Sequence, residues 1–276
     1  MTRDDTALQL SVLMPVRDGS KYLHSSILTT LIAMPSSSEL LVIDDGSCDN
    51  SVEIALDFDD PRVKVVLNPG PHGLSNALNL GLSLARGKYV ARMDSDDICL
   101  PWRFTVQLRA LNRSDVDFVF ATAVAFGRPL KPYWLLPQLP LRLTDSQFKL
   151  GLCRFNPAVH PTMAARRNVL KSLGGYRHFP AEDLDLWLRA ALAGCRFSRL
   201  AIPCVGLRLH ERQLSRSQAW LGAVGEQFEL NALREQLWRD PSVRNLKPRP
   251  LLKYLLNLES SGLPRFAAPW KRRKKR

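Results

Sequence analysis

Short apolar runs alternate with segments of helical periodicity through the first hundred residues. Apolar runs of strand length occur at residues 8–16, 39–43, 62–67 and 88–93. The intervening segments have apolar residues at helical spacing, which predicts helices over residues 19–33, 50–56 and 73–85. Strands that alternate with helices are typical of right-handed βαβ units. This part of the chain therefore predicts a parallel sheet flanked by helices.

The second half of the chain is less regular. An apolar run predicts a strand over residues 116–126, and one or two late strands are predicted over residues 199–209. Helices are predicted at residues 144–152, 166–173, 182–193 and 220–238. The predicted fold class is α/β, with a Rossmann-like, mostly parallel sheet flanked by helices and a helical C-terminal appendage.

Composition limits the class of protein. The chain has 276 residues, of which 45% are hydrophobic, enough for a buried core. No apolar stretch reaches the length of a membrane span, and residues 1–10 are too polar for a secretory signal, so a cytoplasmic location is expected. Five cysteines with no Cys-x-x-Cys pair indicate neither a disulfide framework nor a zinc cluster.

The net charge of +13 indicates attraction to polyanions, which include nucleic acid, an anionic membrane and phosphorylated substrates. The basic residues are most concentrated at residues 271–276. Such a segment is a disordered, solvated tail, a peripheral contact with anionic lipid at about 1 kcal/mol per basic residue, or, as a weaker third alternative, a contact with nucleic acid.

Three carboxylates follow the apolar run at residues 88–93. Asp94, Asp96 and Asp97 lie within four residues, and like charges this close repel each other. Mg²⁺ and Mn²⁺ are commonly held by such carboxylates together with substrate phosphates, at the carboxyl ends of strands in α/β sheets. The alternative is a solvated acidic turn before a helix near Pro101, with Asp97 as its N-cap.

Two further segments could line a nucleotide pocket. The second strand ends in Asp44 and Asp45, whose carboxylates can accept hydrogen bonds from a base or a ribose. Gly73 begins a predicted helix whose free N–H groups could face a phosphate. The chain contains neither a Walker A loop nor a G-x-G-x-x-G motif, which disfavours P-loop phosphoryl transfer and dinucleotide redox chemistry.

Four motifs in order resemble family 2 of the nucleotide-sugar-dependent glycosyltransferases, which have the A-type glycosyltransferase fold. They are DDGS after a strand, GLSNALNLGLSLARGKYVARMDSDD, HPTMAARRNVLKSLGGYRHFPAEDLDLWLR and LRLHERQLS, and the resemblance covers residues 8–217. It implies inverting transfer, a nucleoside against the DDGS strand, a divalent metal and ribose at the Asp-x-Asp group, and an acidic base at a helix start.

The resemblance also implies individual roles. Asp96 would be the principal metal ligand, with Asp94 on the ribose or the metal's waters and His210 completing the site. Either Mn²⁺ or Mg²⁺ is expected, and an imidazole ligand fits Mn²⁺ better. The nucleotide-sugar-binding residues would be Pro15, Val16, Arg17, Asp44, Asp45, Gly73, Asn76, Asp94 and Ser95.

The acceptor side is expected at the helix that begins with Glu182 and Asp183. Inverting transfer needs a base for the acceptor hydroxyl, and the resemblance assigns that role to Asp183, with Glu182 contacting the acceptor or tuning the base. The alternative is that both only stabilise a helix N-terminus, by about 0.3–1 kcal/mol each. Asp185 is expected to be exposed. Residues expected to wall the acceptor are His160, Gly174, Gly175 and Tyr176.

The chain lacks the Gln-x-x-Arg-Trp signature and the membrane helices of processive synthases, which predicts the addition of a single sugar to a glycan or lipid-linked hydroxyl. Arg17 stands where the family often has Tyr. No nucleic acid is expected as a partner, although a basic nucleic-acid-binding α/β protein and a metal-dependent nucleotidyltransferase are alternatives. The predicted parts are a nucleotide-sugar half (residues 1–100), an acceptor half (101–217) and an appendage (218–276).

Overall fold

The computed structural model of the protein describes residues 8–113, 115–127, 142–179, 181–210 and 228–245. Within these residues the strands form one eight-stranded mixed sheet. The strands are β1 (Leu10–Val16), β2 (Ser38–Asp44), β3 (Val63–Leu67), β4 (Tyr89–Arg92), β5 (Ile98–Cys99), β6 (Phe118–Gly127), β7 (Ala164–Arg166) and β8 (Phe197–Leu209). Their order across the sheet is β3-β2-β1-β4-β7-β6-β8-β5.

Helices cover both faces of this sheet, and each face has its own hydrophobic core. The helices are α1 (Ser20–Ala33), α2 (Ser51–Leu56), α3 (Leu74–Leu84), α4 (Arg103–Arg113), α5 (Asp145–Leu152), α6 (Arg167–Ser172), α7 (Glu182–Leu192), α8 (Phe228–Arg239) and α9 (Pro241–Arg244). Helices α1, α2 and α4 pack on one face, and the others pack on the opposite face. Among the described residues, no helix has the length and apolar character needed to cross a bilayer.

The first half has the predicted parallel architecture. β1 pairs in parallel with β2 and β4, and β2 pairs in parallel with β3. Every residue of β1 and β2 is buried, as expected for central strands covered by helices on both faces. The carboxyl ends of β1, β2 and β4 therefore meet at one edge of the sheet.

The second half joins the same sheet through short antiparallel strands that the sequence pattern did not predict. β7 lies between β4 and β6 and runs antiparallel to both, and β5 pairs antiparallel with β8. These strands have three and two residues, too few to show periodicity. The one or two strands predicted over residues 199–209 are a single strand, β8, whose pairing with β6 is irregular near Thr122.

An aromatic cluster fixes α7 against the sheet. Trp187 of α7 packs edge to face on Phe120, with 4.8 Å between the ring centroids. The rings of Phe148 and Phe197 stack with their centroids 4.7 Å apart. Phe118 contacts Phe197 at 5.3 Å. Such aromatic pairs contribute about 0.5–1.5 kcal/mol each beyond their buried area. The cluster therefore holds the helix whose first turn carries Glu182 and Asp183.

The described part of the C-terminal segment packs on the domain. α8 begins at Phe228 within the helix predicted over residues 220–238, whose first eight residues lie outside the described ones. Leu230, Leu237 and Val243 are buried in the core that α5 and α7 share. Residues 271–276 also lie outside the described residues.

A buried carboxylate ties the strands together at the amino edge of the sheet. Glu39 accepts hydrogen bonds from Ser11 Oγ and Arg86 N, both at 2.8 Å, and Lys64 Nζ lies 2.6 Å from its other oxygen. A Cβ on Gly87 would lie 2.5 Å from backbone atoms of β1, so only glycine fits there. Burial raises the pKa of Glu39, but hydrogen bonds from Lys64 and Arg86 outweigh burial and hold that pKa below its usual value.

Replacing Glu39 by Gln is expected to lower the free energy of unfolding at pH 7 by about 1–3 kcal/mol, because the new amide nitrogen would face the donors of Lys64 and Arg86. The folded pKa of Glu39 is lowered, so its contribution is present above the unfolded pKa and is lost as the pH falls through the folded pKa. Urea unfolding at pH 7 and at about pH 3 measures both effects.

Glu53→Gln, an exposed position in the first turn of α2, is the control and should match the wild type at pH 7. A wild-type advantage over Glu39→Gln that stays the same in acid would contradict the expectation.

Candidate active site

The three predicted carboxylates converge at the carboxyl edge of the sheet, directly after β4. Ligand oxygens of Asp94, Asp96 and Asp97 all lie within 4.8 Å of one another. The side chains of Asp94 and Asp96 are about a quarter exposed, whereas Asp97 is buried. The cluster therefore presents two reachable carboxylates above one buried carboxylate.

Neighbouring elements fix the backbone of this acidic loop. Ser26 Oγ of α1 donates to the Asp94 carbonyl at 2.7 Å, and Arg208 Nε of β8 donates to the Asp96 carbonyl at 2.7 Å. The guanidinium of Arg208 lies between two rings, 4.3 Å from the centroid of Tyr22 and 4.7 Å from that of Phe126. The loop is thus held from both α1 and β8.

His210 reaches the cluster from the end of β8, as predicted. Its Nε2 lies 2.7 Å from Asp96 Oδ2, and its ring is 5.4 Å from that of Tyr22. The imidazole therefore contacts one of the three carboxylates of the cluster directly. Tyr22 was not among the predicted site residues, because nothing in the pattern of α1 distinguishes it from an ordinary helix residue.

Asp97 shows that the cluster suits a cation. Its Oδ1 accepts a hydrogen bond from Arg208 N at 2.8 Å, whereas its buried Oδ2 has no hydrogen-bond partner among the described residues. Burial, followed by the charges of Asp94 and Asp96, raises the pKa of Asp97 well above its usual value. A divalent ion would satisfy the free oxygen and offset the repulsion among the three carboxylates.

The DDGS turn after β2 is built by its own two aspartates. Asp44 accepts hydrogen bonds from the backbone N–H groups of Gly46 and Ser47 at 3.2–3.4 Å. Asp45 accepts from Asn68 Nδ2 at 2.7 Å and from Gly73 N at 2.8 Å. Both carboxylates are buried and shape the pocket edge, and direct contact with a nucleotide stays a prediction.

The remaining donor-side residues differ in what they present. Pro15 and Val16 are buried in β1, so their side chains belong to the core, whereas Arg17 is exposed. Gly73 has φ of 136°, which favours glycine, and its N–H is engaged by Asp45. Asn76 Nδ2 donates to the Pro71 carbonyl at 2.8 Å and closes the loop before α3.

The first turn of α7 carries the candidate base. Asp183 Oδ2 accepts a hydrogen bond from Asn156 Nδ2 at 2.7 Å, and Oδ1 accepts from Leu184 N at 2.7 Å. Burial and the charge of Glu182 raise the pKa of Asp183, and the hydrogen bonds from Leu184 N and Asn156 Nδ2 offset this rise only in part. Burial likewise raises the pKa of Glu182, against a lowering by Arg92. Asn156, which orients the carboxylate of Asp183, was not among the predicted site residues. The two residues are 27 positions apart, and no local pattern indicates that they are in contact.

Arg92, the last residue of β4, joins the two sides of the site. Its Nε lies 2.7 Å from Asp94 Oδ1, and its Nη1 lies 3.6 Å from Glu182 Oε1. The residue was not predicted, although an arginine inside a strand that is otherwise apolar is a sign of a buried ion pair. Its Nη1 also contacts His160 Nδ1.

His160 and Tyr176 lie behind the site, with both side chains almost fully buried. Burial and the charge of Arg92 lower the pKa of His160 to about 3, so the imidazole is neutral. Because a guanidinium only donates, His160 Nδ1 accepts from Arg92 and its Nε2–H donates to the Tyr176 hydroxyl at 3.0 Å. The predicted role of these side chains as acceptor walls stays untested, and the structure gives them a supporting position.

The Gly174-Gly175 turn is clamped to the donor-side helix α3. Both glycines have positive φ, at 75° and 68°, and a Cβ on Gly175 would lie 2.4 Å from Asn79 Oδ1. Asn79 donates to the Tyr176 carbonyl at 2.8 Å and accepts from Tyr176 N at 2.9 Å. The positive φ and the close approach to Asn79 both favour glycine at position 175, and its role at the acceptor stays a prediction.

The expectation that Asp185 is exposed is wrong. Asp185 is fully buried and lies 2.7 Å from Arg189 Nε, while the guanidinium of Arg189 donates to the carbonyls of Leu173 and Gly175 at 2.7 Å. Most residues of α7 are buried, so the helix lacks the solvent-exposed face that a surface helix would have, and Asp185 is covered by protein.

Comparison with known proteins identifies the family. Residues 11–174 match the sequence profile described as Glycosyl transferase family 2, and the chain belongs to this family. The chain is 30% identical over 218 residues to the Escherichia coli O-antigen biosynthesis glycosyltransferase WbnJ, covering 75% of this chain and 82% of that protein.

Solved structures show the same fold. The structure of S. aureus TarS residues 1–349 in complex with UDP-GlcNAc matches with a TM-score of 0.65 at 18% identity, covering 92% of this chain and 73% of that one. The mannosyltransferase PcManGT from Pyrobaculum calidifontis, in complex with GDP-Man and Mn²⁺, matches with a TM-score of 0.55 at 20% identity, covering 91% and 69%. The predicted A-type glycosyltransferase fold is confirmed.

The predicted activity class is also confirmed: the protein is a nucleotide-sugar-dependent glycosyltransferase. The net positive charge therefore belongs to an enzyme rather than to a non-catalytic nucleic-acid-binding protein.

Binding of Mn²⁺ by the protein is expected to release a proton from Asp97, because the pKa of that carboxyl is raised without metal and a ligand must be deprotonated. The apparent affinity for Mn²⁺ should accordingly rise with pH. Calorimetric titration in buffers of different ionisation enthalpy measures the proton release. Asp97→Asn should abolish it, and equal release from the variant would contradict the assignment.

Proposed function

We propose that the enzyme transfers one sugar, with inversion, from a nucleoside-diphosphate sugar to a hydroxyl of a glycan or lipid-linked acceptor in cell-surface polysaccharide synthesis. The observation that carries the proposal is the placement of the Asp94, Asp96 and Asp97 cluster beside the oriented carboxylate of Asp183, with Arg92 between them. The O-antigen role in the name of WbnJ and the UDP-GlcNAc complex of TarS support the acceptor class and the donor class, respectively.

On the donor side, Asp96, Asp94 and His210 would hold Mn²⁺ or Mg²⁺, and Asp97 would supply a further ligand through Oδ2. When bound, such an ion neutralises charge that develops on the departing diphosphate. The Mn²⁺ complex of PcManGT supports this proposal. The pocket edge formed by the Asp44 turn would receive the nucleoside.

On the acceptor side, Asp183 would take the proton of the acceptor hydroxyl as its oxygen attacks the anomeric carbon. The bond between that carbon and the diphosphate oxygen breaks, and its electron pair leaves with the nucleoside diphosphate. Asn156 holds Asp183 Oδ2 at 2.7 Å, which leaves each carboxylate oxygen a lone pair for the hydroxyl. Displacement from the side opposite the leaving group inverts the configuration.

The location of the reaction follows from the same proposal. A lipid-linked acceptor requires access to a membrane face, and the basic residues 271–276 would provide peripheral contact with anionic lipid. The enzyme would then work on the cytoplasmic face of the membrane.

Donor binding is expected to require metal and Asp96. Calorimetry with UDP, GDP and dTDP should show binding of one of them in Mn²⁺ that is weakened at least about tenfold by EDTA or by Asp96→Ala. Asp57→Ala, an exposed aspartate after α2, is the control and should bind like the wild type. Tight nucleotide binding by Asp96→Ala would overturn the metal assignment.

Asp183→Asn is expected to keep donor binding and to reduce transfer by about 10²–10⁴-fold, because the amide cannot take a proton. The raised pKa of Asp183 places the acidic limb of the wild-type rate above the usual range of an aspartate, with the rate falling as the base is protonated. Transfer is measured by release of nucleoside diphosphate from a panel of nucleotide sugars. Release of pyrophosphate would indicate a nucleotidyltransferase instead.

Asp145→Asn is the matched control, since Asp145 also lies in the first turn of a helix. If Asp183 served only to stabilise a helix N-terminus, the two variants would lose stability alike and both would keep transfer.

A further inference from the structure

We infer that Arg92 is a positioning residue that couples the donor side of the site to the acceptor side. Its guanidinium contacts both Asp94 and Glu182 and fixes their positions relative to each other. The inference rests on the proposed roles of Asp94 and Glu182, and it assigns a function to a residue that was not among the predicted site residues.

The guanidinium of Arg92 contacts one carboxylate on each side of the site. Nε is paired with Asp94 Oδ1 at 2.7 Å, and Nη1 faces Glu182 Oε1 at 3.6 Å. Asp94 comes two residues after the end of β4, whereas Glu182 begins α7, 88 residues later in the chain. The two carboxylates therefore have a common partner, although they belong to different halves of the enzyme.

Burial gives this arrangement its strength. The side chain of Arg92 is 7% exposed and that of Glu182 is 11% exposed, so water screens their attraction only weakly. Removing Arg92 would leave Glu182 as a nearly buried carboxylate without its guanidinium partner. A guanidinium can donate along several directions at once, whereas the compact ammonium of lysine cannot span both carboxylates.

A second layer prevents the guanidinium from turning away. His160 Nδ1 accepts from Arg92 Nη1, and His160 Nε2 is bonded to the Tyr176 hydroxyl at 3.0 Å. The backbone of Tyr176 is in turn bonded twice to Asn79 of α3, which begins at the donor-side loop. The support of Arg92 therefore starts and ends in the donor half and passes beneath the acceptor helix.

The consequence is a measurable coupling between sites. Arg92 contacts both carboxylates and offsets the direct repulsion between Glu182 and Asp94, so the effect of a change at Glu182 on donor binding should depend on whether Arg92 is present. Couplings of this kind between sites are typically 5–150-fold in affinity.

The test is a double-mutant cycle on the affinity for UDP, GDP or dTDP in Mn²⁺, measured by calorimetry on the full chain. Glu182→Gln is expected to change that affinity by factors that differ at least about fivefold between the Arg92 and the Arg92→Met backgrounds. Equal effects of Glu182→Gln in both backgrounds would overturn the inference.

Arg92→Lys provides a second measurement if Arg92→Met does not fold. Hydrolysis of UDP-GlcNAc, UDP-glucose or GDP-mannose should show a higher donor KM together with a kcat lowered about 10²-fold, since misplacement by about 1 Å has effects of this size. A purely structural defect would lower only the fraction of active enzyme and leave KM unchanged. Wild-type kinetics in Arg92→Lys would equally overturn the inference.

Arg62→Met is the matched control, because Arg62 forms an ion pair with Asp60 at 2.8 Å near the start of β3, away from the site. It should keep the wild-type response to Glu182→Gln. If the wild type binds none of the three nucleotides in Mn²⁺, the proposed function fails and this inference fails with it. If the wild type binds one and the cycle shows no coupling, only the inference about Arg92 fails.

Discussion

The structure depends on how negative charge is balanced at the carboxyl edge of the sheet. Asp94, Asp96 and Asp97 lie within a few ångströms of one another, and Glu182 and Asp183 approach from α7. Arg92 is placed among them and compensates part of this charge, but Asp97 keeps a buried oxygen with no hydrogen-bond partner in the described residues. An uncompensated buried oxygen among like charges is the arrangement that the proposed divalent ion would complete.

The opposite edge of the same sheet shows the contrast between structural and functional acids. Glu39 is buried too, but hydrogen bonds and the charge of Lys64 meet both of its oxygens from within the protein, and its pKa is held down. Asp97 has its pKa raised by burial and by like charges. A buried carboxylate thus stabilises the strands where cationic and N–H donors surround it, as at Glu39. Where other carboxylates surround it, as at Asp97, it forms part of the candidate site.

The support of the site is shared between elements that are distant in sequence. The aromatic cluster around Trp187 fixes α7, Asp185 and Arg189 hold the glycine turn, and Asn79 clamps that turn to α3. These contacts connect α7 through the glycine turn to α3. The site is therefore better described as one network centred on Arg92 than as two half-sites side by side.

The sequence by itself determined the alternating strands and helices of the first half, the acidic cluster at Asp94 and the family, because these are carried by local periodicity and by contiguous motifs. It also predicted that His210 would reach the cluster, through the resemblance. Only the tertiary structure decided that β5 and β7 complete the sheet, that Asp185 is buried, and that Arg92 and Asn156 orient the site carboxylates. These features depend on pairs separated by tens of residues, and a single chain read in order contains no signal for which of its many polar side chains will meet once the sheet has closed.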